Sequence, residues 1–188
     1  MAVNFSARQE VEVKKPRRDY LFDEDDDNED EDEDTQAGKY LVFLLGEESY
    51  GLEIRHVREI VKMQSITVVP DEPAHIRGII NLRGRVIPLT DVRTLFGIAA
   101  REYDNRTCIV VVNYQNAVMG YIVDRVVEVG RIPDDQIEMP NNLRKEGNNR
   151  YISGLGKSGD KVRLLLDVER IMGSCANNTT AETAKGGN

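Results

Sequence analysis

The sequence predicts an all-β protein in which two small closed β-barrels pack around a groove, with short helices at strand ends. Three observations favour this fold class. Short apolar runs alternate with turn residues along the chain, which is typical of short strands. The pattern of the first half returns in the second half. The chain has 188 residues, 40% of them hydrophobic, which suffices for one ordinary domain or two small ones that share a core.

The internal repeat is visible in two pairs of segments. GLEIRHVREI, from Gly51, matches GYIVDRVVEV, which begins 69 residues later at Gly120. DVRTLFG, from Asp91, matches DVERIMG, which begins 76 residues later at Asp167, so the second copy has a longer loop. Each copy holds about five short strands, which are too few for a broad sheet but enough for a small closed barrel. Two packed barrels leave a groove between them, which is a usual place for a ligand or partner.

The first half begins with apolar runs that we predict to be strands. The predicted strands are 40–45, 49–53 and 66–69, with a turn at 46–48. Ile54, Val57 and Ile60 are spaced for a short helix that leads into another strand. Pro70 and Pro73 end the third strand.

The central stretch, residues 76–97, reads as apolar run, turn, apolar run and short helix. Gly84 lies where a tight hairpin needs a positive φ, and Arg83 precedes it at the tip. Arg83 is therefore presented at the surface, either as a binding residue or as an ordinary surface arginine. Pro88 cannot donate to a ladder, which predicts an edge strand or a bulge there.

Capping residues predict the helix ends, and apolar runs predict the strands of the second half. Asp91 is a candidate cap for the helix after the hairpin, and Gly97 is a candidate C-terminal stop. Residues 131–150 are polar and are predicted to form a long loop. The second half is predicted to hold strands at 108–112, 117–123, 151–156 and 162–166 and a helix at 167–172.

Both ends of the chain are predicted to be disordered. Residues 1–38 carry a net charge of −9, whereas residues 39–173 carry +1 and 174–188 are neutral. The acidic run 23–34 is read as a solubilising tail, with weak divalent-cation binding or attraction of a basic partner as alternatives. An EF-hand is excluded because no glycine lies between Asp23 and Asp34. The near-neutral centre does not favour nucleic-acid binding.

The sequence shows no catalytic motif and no metal-ligand spacing, so we expect no catalytic residues, no metal and no cofactor. His56 and His75 lack metal-ligand spacing, and Cys108 opens an apolar strand, as a core residue would. Asp91 and Asp167 are equivalent in the repeat and are better explained as helix caps than as a catalytic pair. The two separated cysteines indicate a reducing cytoplasm, and no transmembrane run or signal peptide is seen. A binding module is the simplest class.

Four blocks in order resemble the CheW family of chemotaxis adaptors. They are YGLEIRHVREIV, GIINLRGRVIPLTDVRTLFG, VDRVVEV and YISGLG. The resemblance covers about residues 39–173. It implies two SH3-like five-stranded barrels, no catalysis, and a role in coupling chemoreceptors to the histidine kinase CheA in bacterial arrays. The protein is then cytoplasmic and recruited to membrane receptor arrays, with no nucleic acid as a partner.

The resemblance also implies which residues bind each partner. An acid–base pair of Glu59 and Arg83 is expected across the receptor groove. The kinase-binding candidates, on the first barrel, are Ile66 and Val86. The implied receptor-binding residues are Val57, Glu59, Ile60, Gly78, Arg83 and Gly84. The acidic tail has no counterpart in the family pattern.

The expected domain division places about 39–98 with 151–173 in one barrel and 107–150, interleaved, in the other. Within the family, a scaffold for a non-flagellar motility or signalling pathway is an alternative. Outside it, two further classes are an enzyme whose site carries no motif and an oligonucleotide-binding barrel. The absence of tryptophan and the near-zero charge argue against the oligonucleotide-binding barrel.

Overall fold

The computed structural model describes residues 36–139, 147–159 and 161–176. The acidic run 23–34 and the rest of residues 1–35 lie outside the described residues, as do residues 177–188. The predicted tails, 1–38 and 174–188, were too long at their inner ends. Gly38 O accepts a hydrogen bond from Ile132 N, and residues 174–176 are helical, with Cys175 packed against the core. Eleven strands and two α-helices account for most of the described chain. The strands are β1 (Lys39–Leu45), β2 (Glu48–Glu53), β3 (Val57–Lys62), β4 (Ile76–Leu82), β5 (Arg85–Asp91), β6 (Cys108–Tyr114), β7 (Ala117–Val123), β8 (Arg125–Arg131), β9 (Ile137–Glu138), β10 (Ile152–Ser158) and β11 (Lys161–Leu166). The helices are α1 (Val92–Leu95) and α2 (Val168–Ala176).

The strands form two sheets, which confirms the predicted all-β class. One sheet has six strands in the order β8-β1-β2-β11-β10-β9, and the other has five in the order β3-β6-β7-β5-β4. In the five-stranded sheet the chain leaves edge strand β3, and Thr67 then bridges to Ile79 of the opposite edge strand β4. In the six-stranded sheet, residues 132–136 likewise join edge strand β8 to edge strand β9. These connections bring the edges together, consistent with two small SH3-like barrels.

The internal repeat takes a form that the sequence did not reveal. The hairpin of the first copy, β1–β2, pairs with β8 and β11 of the second copy. The hairpin of the second copy, β6–β7, pairs with β3 and β5 of the first copy. The registers are equivalent, because Phe43 faces Val126 just as Val112 faces Val57, and each ladder has a bulge at that point. The two copies have therefore exchanged hairpins.

This exchange differs from the expected grouping of segments. Residues 57–91 share a sheet with 108–123, and residues 39–53 share one with 125–166, instead of 39–98 being grouped with 151–173. Because the two copies have similar strands, the sequence does not indicate which barrel each hairpin joins. In the structure Ile54–His56 connects β2 to β3 of the other sheet, and Asp124 connects β7 to β8 of the other sheet.

Most of the core lies between the two barrels. Leu41 and Phe43 of β1 meet Val110 and Val112 of β6 in one cluster that also includes Ile171 of α2. The alternate residues of β6 point into their own barrel, where a second cluster forms. Its buried members are Ile80, Ile87, Leu89, Ile109, Val111 and Ile122. Because β6 is buried on both faces, its apolar run is unbroken rather than alternating.

Three local predictions were wrong. Ile54, Val57 and Ile60 do not share a helix, because a 3-10 turn at Ile54–His56 gives way to strand β3 at Val57. The predicted strand at 66–69 is reduced to the single bridge at Thr67, since Pro70 follows closely. The predicted loop at 131–150 contains the end of β8, strand β9 and two 3-10 turns, at Asp134–Gln136 and Gly147–Tyr151.

Neither prediction for Pro88 is met. Strand β5 sits between β4 and β7 rather than at an edge, and the bulge in the β4–β5 ladder lies between Ile76 and Gly78, away from the pairing of Pro88 with Ile79. The parallel ladder with β7 begins only at Leu89, so β7 does not pair with β5 at the proline itself. The predicted ends of α1 are confirmed, whereas α2 continues beyond the predicted end at Met172 to Ala176. The Asp91 carboxylate accepts a hydrogen bond from Thr94 N at 3.3 Å, and Gly97 has a φ of 70°.

Candidate functional site

The β4–β5 hairpin tip positions Arg83. Arg83 has a φ of 50° and Gly84 a φ of 84°, so both central residues of the turn are left-handed, as the tightest hairpins require. Asn81 Oδ1 accepts a hydrogen bond from Gly84 N at 2.8 Å and stabilises the turn. A non-glycine residue with positive φ is uncommon, and here it places the guanidinium beside the neighbouring edge of the barrel.

Arg83 and Glu59 form the predicted pair. Arg83 Nη1 donates to Glu59 Oε1 at 3.3 Å, and Arg83 Nη2 lies 3.0 Å from Glu59 Oε2, so the contact is bidentate. The Arg83 side chain is 78% exposed, whereas that of Glu59 is 21% exposed. The bulge between Val57 and Glu59 turns β3 here and brings Arg58 to the same rim.

This pair borders a groove of about 240 Å³ in the five-stranded barrel. The floor of the groove is apolar. Its rim carries three exposed arginines and one carboxylate, that of Glu59. Neither Arg58 nor Arg85 has an ion-pair partner within the described part of the chain. The lining of this arginine-rimmed groove is Arg58, Glu59, Leu82, Arg83, Arg85, Ile87, Val111 and Val118.

The six receptor-binding candidates differ in their exposure and do not all lie at the groove. Glu59 and Arg83 line the arginine-rimmed groove, Gly84 adjoins it, and Ile60 is 46% exposed on β3. Val57 is half-buried and packs against the core between the barrels. Gly78 is buried at a φ of 129°, and a Cβ there would lie 2.1 Å from the Thr67 carbonyl oxygen. Gly78 therefore allows the closing segment to cross β4.

The two kinase-binding candidates also differ in exposure. Val86 is 65% exposed, whereas Ile66 is half-buried against the interior cluster of the five-stranded barrel. Val86 projects from β5 on the face opposite Arg85 and Ile87, because side chains alternate along a strand.

Arg58 and Arg85 were missed in the sequence. The predicted short helix rested on the apolar positions Ile54, Val57 and Ile60, so Arg58 was not singled out. A strand over 57–62 would have predicted that half-buried and exposed residues alternate, as they do in β3. The bulge that brings Arg58 and Glu59 to one rim leaves no clear signal in a single sequence.

The six-stranded barrel carries a groove at the equivalent place, with a volume of about 380 Å³. Glu128 and Lys161 correspond to Glu59 and Arg85 of the first groove. Its three acidic and three basic side chains match in number, so we name it the balanced-charge groove. Its lining is Val42, Leu44, Glu47, Glu48, Ser49, Arg125, Val127, Glu128, Lys161, Val162 and Arg163.

Two ionisable side chains outside the grooves, His56 and Cys108, are partly buried, and Tyr114 contacts His56. Burial lowers the pKa of His56, which stacks edge-on against Tyr114 at 5.6 Å between ring centroids. Burial raises the pKa of the Cys108 thiol, which disfavours the reactive thiolate. Among the described residues, no group of three or more potential metal ligands comes together. No described helix is long and apolar enough to cross a membrane.

The chain folds as an all-β module of two barrels that exchange hairpins and share a core. Each barrel carries a surface groove. Residues 39–176 match the CheW-like domain, and the chain belongs to that family. It is a chemotaxis adaptor.

Similar proteins span nearly the same region. The chain is 33% identical to "Chemotaxis protein CheW" of Klebsiella aerogenes over 140 residues, which is 74% of this chain and 84% of that protein. It is 35% identical to "Chemotaxis protein CheW" of Helicobacter pylori over 135 residues, 71% of this chain and 81% of that one. The crystal structure of scaffolding protein TtCheW from Thermoanaerobacter tengcongensis is similar, with a TM-score of 0.64 and 39% identity, covering 70% of this chain and 84% of that one.

Proposed function

We propose that this adaptor couples methyl-accepting chemoreceptors to the histidine kinase CheA and catalyses no reaction itself. It works in the cytoplasm and is recruited to receptor arrays at the membrane. The receptor's cytoplasmic tip binds at the arginine-rimmed groove, and the kinase regulatory domain binds at Val86 and Ile66. The chemotaxis names of the relatives do not favour a non-flagellar pathway. The proposed folded unit is residues 39–173.

One observation carries the receptor assignment, namely the bidentate Arg83–Glu59 pair beside an apolar floor. A receptor helix would lay its apolar face along Ile60 and the groove, and Arg83 would offer hydrogen bonds at its edge. Because Glu59 holds the guanidinium in one orientation, less side-chain entropy is lost when the receptor binds. Val57 and Gly78 would contribute by shaping β3 and β4 rather than by direct contact.

The test is a titration with a receptor tip fragment. Arg83→Ala should weaken receptor binding about tenfold, because an arginine at a binding groove commonly contributes more than 1 kcal/mol. The fold should stay intact, since an exposed pair is worth about 0–1 kcal/mol. Lys157→Ala is the matched control, because it removes another exposed ion pair, with Glu138 at 2.6 Å, and neither residue lines the arginine-rimmed groove. Unchanged receptor affinity of Arg83→Ala would rule out the assignment.

The kinase surface is tested separately. Val86→Glu places a charge on an exposed position and should weaken CheA binding while receptor binding persists. The reverse pattern would show that the two partners had been assigned to the wrong faces.

Exchanging both charges, with Arg83→Glu and Glu59→Arg, should restore part of receptor binding if the pair only maintains the groove. No restoration would show that Arg83 contacts the receptor directly.

A further inference from the structure

The arginine-rimmed groove is a site for a segment that combines apolar and acidic side chains. Its floor consists of Leu82, Ile87, Val111 and Val118, which offer no charge. Its rim carries three exposed arginines, of which only Arg83 has a carboxylate partner among the described residues. Such a rim recognises carboxylates, because guanidinium groups bind them with two parallel hydrogen bonds.

The chain itself contains a segment with this chemistry. Tyr20, Leu21 and Phe22 are three successive large apolar residues, and the acidic run 23–34 follows them directly. These residues precede the described part of the chain, which begins at residue 36. They are linked to the folded unit through the short stretch before β1.

The linking stretch is long enough to reach the groove. Fifteen residues, most of them in the acidic run itself, lie between Phe22 and Gly38, and a chain of that length can span about 50 Å. A folded unit of this size has a radius of gyration of about 14 Å. Since the segment is tethered, its effective concentration at the groove is in the millimolar range, about 1 mM or more. Weak contacts therefore suffice for substantial occupancy.

We propose that the segment 20–34 binds at the arginine-rimmed groove in the free protein, with Leu21 and Phe22 in the groove and the acidic run passing over its rim towards Gly38. Leu21 and Phe22 pack on the apolar floor, and carboxylates of the acidic run pair with Arg58 and Arg85. The segment thereby competes with the receptor for one surface, and this consequence rests on the proposed function. The balanced-charge groove is the poorer site, because Glu47, Glu48 and Glu128 repel the acidic run there.

The experiment uses the full-length chain and its amide NMR spectrum at about 20 mM and about 500 mM ionic strength. One variant replaces every Asp by Asn and every Glu by Gln within 23–34, at unchanged length. A second is Arg58→Ser with Arg85→Ser. The matched control is Lys161→Ser, which alters the position equivalent to Arg85 in the balanced-charge groove. Neutralising the run should shift the signals of Leu82, Val111 and Val118. High salt and the arginine variant should release the segment as well, whereas Lys161→Ser should not.

Identical groove signals in the native and neutralised chains at low salt would overturn the proposal. So would shifts at the balanced-charge groove instead, or shifts that grow with protein concentration, which would show that another copy's segment binds. In a receptor titration, the neutralised chain should bind about three- to tenfold more tightly, since a larger fraction of its grooves is free. If the receptor fragment binds neither chain while the NMR shifts occur, the proposed function fails and the docking of residues 20–34 stands.

Discussion

The two grooves occupy equivalent places in the two barrels but bury opposite members of their ion pairs. In the arginine-rimmed groove the Glu59 side chain is 21% exposed and its partner Arg83 is 78% exposed. In the balanced-charge groove Arg163 is 6% exposed and its partner Glu128 is 53% exposed. The glutamate is common to both copies of the repeat, whereas the arginine comes from the hairpin tip in one barrel and from strand β11 in the other.

This difference shows how one backbone supports two kinds of surface. Ile87 occupies in the first barrel the position that Arg163 has in the second. An apolar residue there leaves the charge on the rim, where a partner can use it. An arginine there brings the charge to the floor. Glu128 Oε1 accepts a hydrogen bond from Arg163 Nη2 at 2.8 Å, whereas Arg163 Nε has no hydrogen-bond partner among the described residues. The second groove therefore uses its arginine within the fold.

The prediction with the largest expected effect compares how tightly the chain crosses the equivalent glycines of the two barrels. Gly78 and Gly154 are equivalent in the repeat, but a Cβ at Gly78 would lie 2.1 Å from the Thr67 carbonyl oxygen, at a positive φ. A Cβ at Gly154 would meet Ile137 Cγ2 at 3.0 Å and Glu138 O at 3.2 Å. Gly78→Ala should cost about 4 kcal/mol or more, and Gly154→Ala about 1 kcal/mol. Urea unfolding measures both, and equal costs would contradict the difference.

The second prediction concerns the two glutamates. Glu128→Ala leaves the buried Arg163 guanidinium without its carboxylate and should lower the free energy of unfolding by about 3 kcal/mol. Glu59→Ala leaves an exposed Arg83, which water solvates, and should cost about 0–1 kcal/mol. Thermal or urea unfolding of the two variants gives the comparison directly. A larger loss for Glu59→Ala would mean that Arg83 depends on Glu59 for more than orientation.

The smallest effect is expected when both members of the Arg163–Glu128 pair are replaced together. Arg163→Met together with Glu128→Gln eliminates the desolvated charge and the Nε that lacks a partner among the described residues. Stability should therefore stay within about 1 kcal/mol of the native protein or increase. The same measurement applies, with Arg163→Met alone as the control. A loss as large as that of Glu128→Ala would show that the ion pair stabilises the barrel.

The sequence predicted the architecture because its signals are local. Gly84 at the hairpin, Asp91 at the helix start and the repeat of apolar runs each depend on neighbouring residues only, and each is seen in the structure. The family resemblance supplied the Arg83–Glu59 pair, whose members lie 24 residues apart. The assignment of the other site residues to their partners stays a prediction.

Features that depend on distant pairing were missed. The spacing of Ile54, Val57 and Ile60 fits a helix, but these β-branched residues also suit a strand, and pairing with β6 decides the outcome. The cluster of Arg58, Arg83 and Arg85 depends on a bulge and on the turn of a separate hairpin. The exchange of hairpins was hidden because the two copies resemble each other.

The exchanged hairpins also set the order in which the chain can fold as it is synthesised. Hairpin β1–β2 leaves the ribosome first, but its partner β11 ends only at Leu166. The five-stranded barrel is complete once Val123 has emerged, so the barrel that begins later closes first. At about 5–20 residues per second, the first hairpin waits on the order of ten seconds for its last partner. Until then its apolar residues, Leu41 and Phe43 among them, have only the face of the finished barrel to cover them.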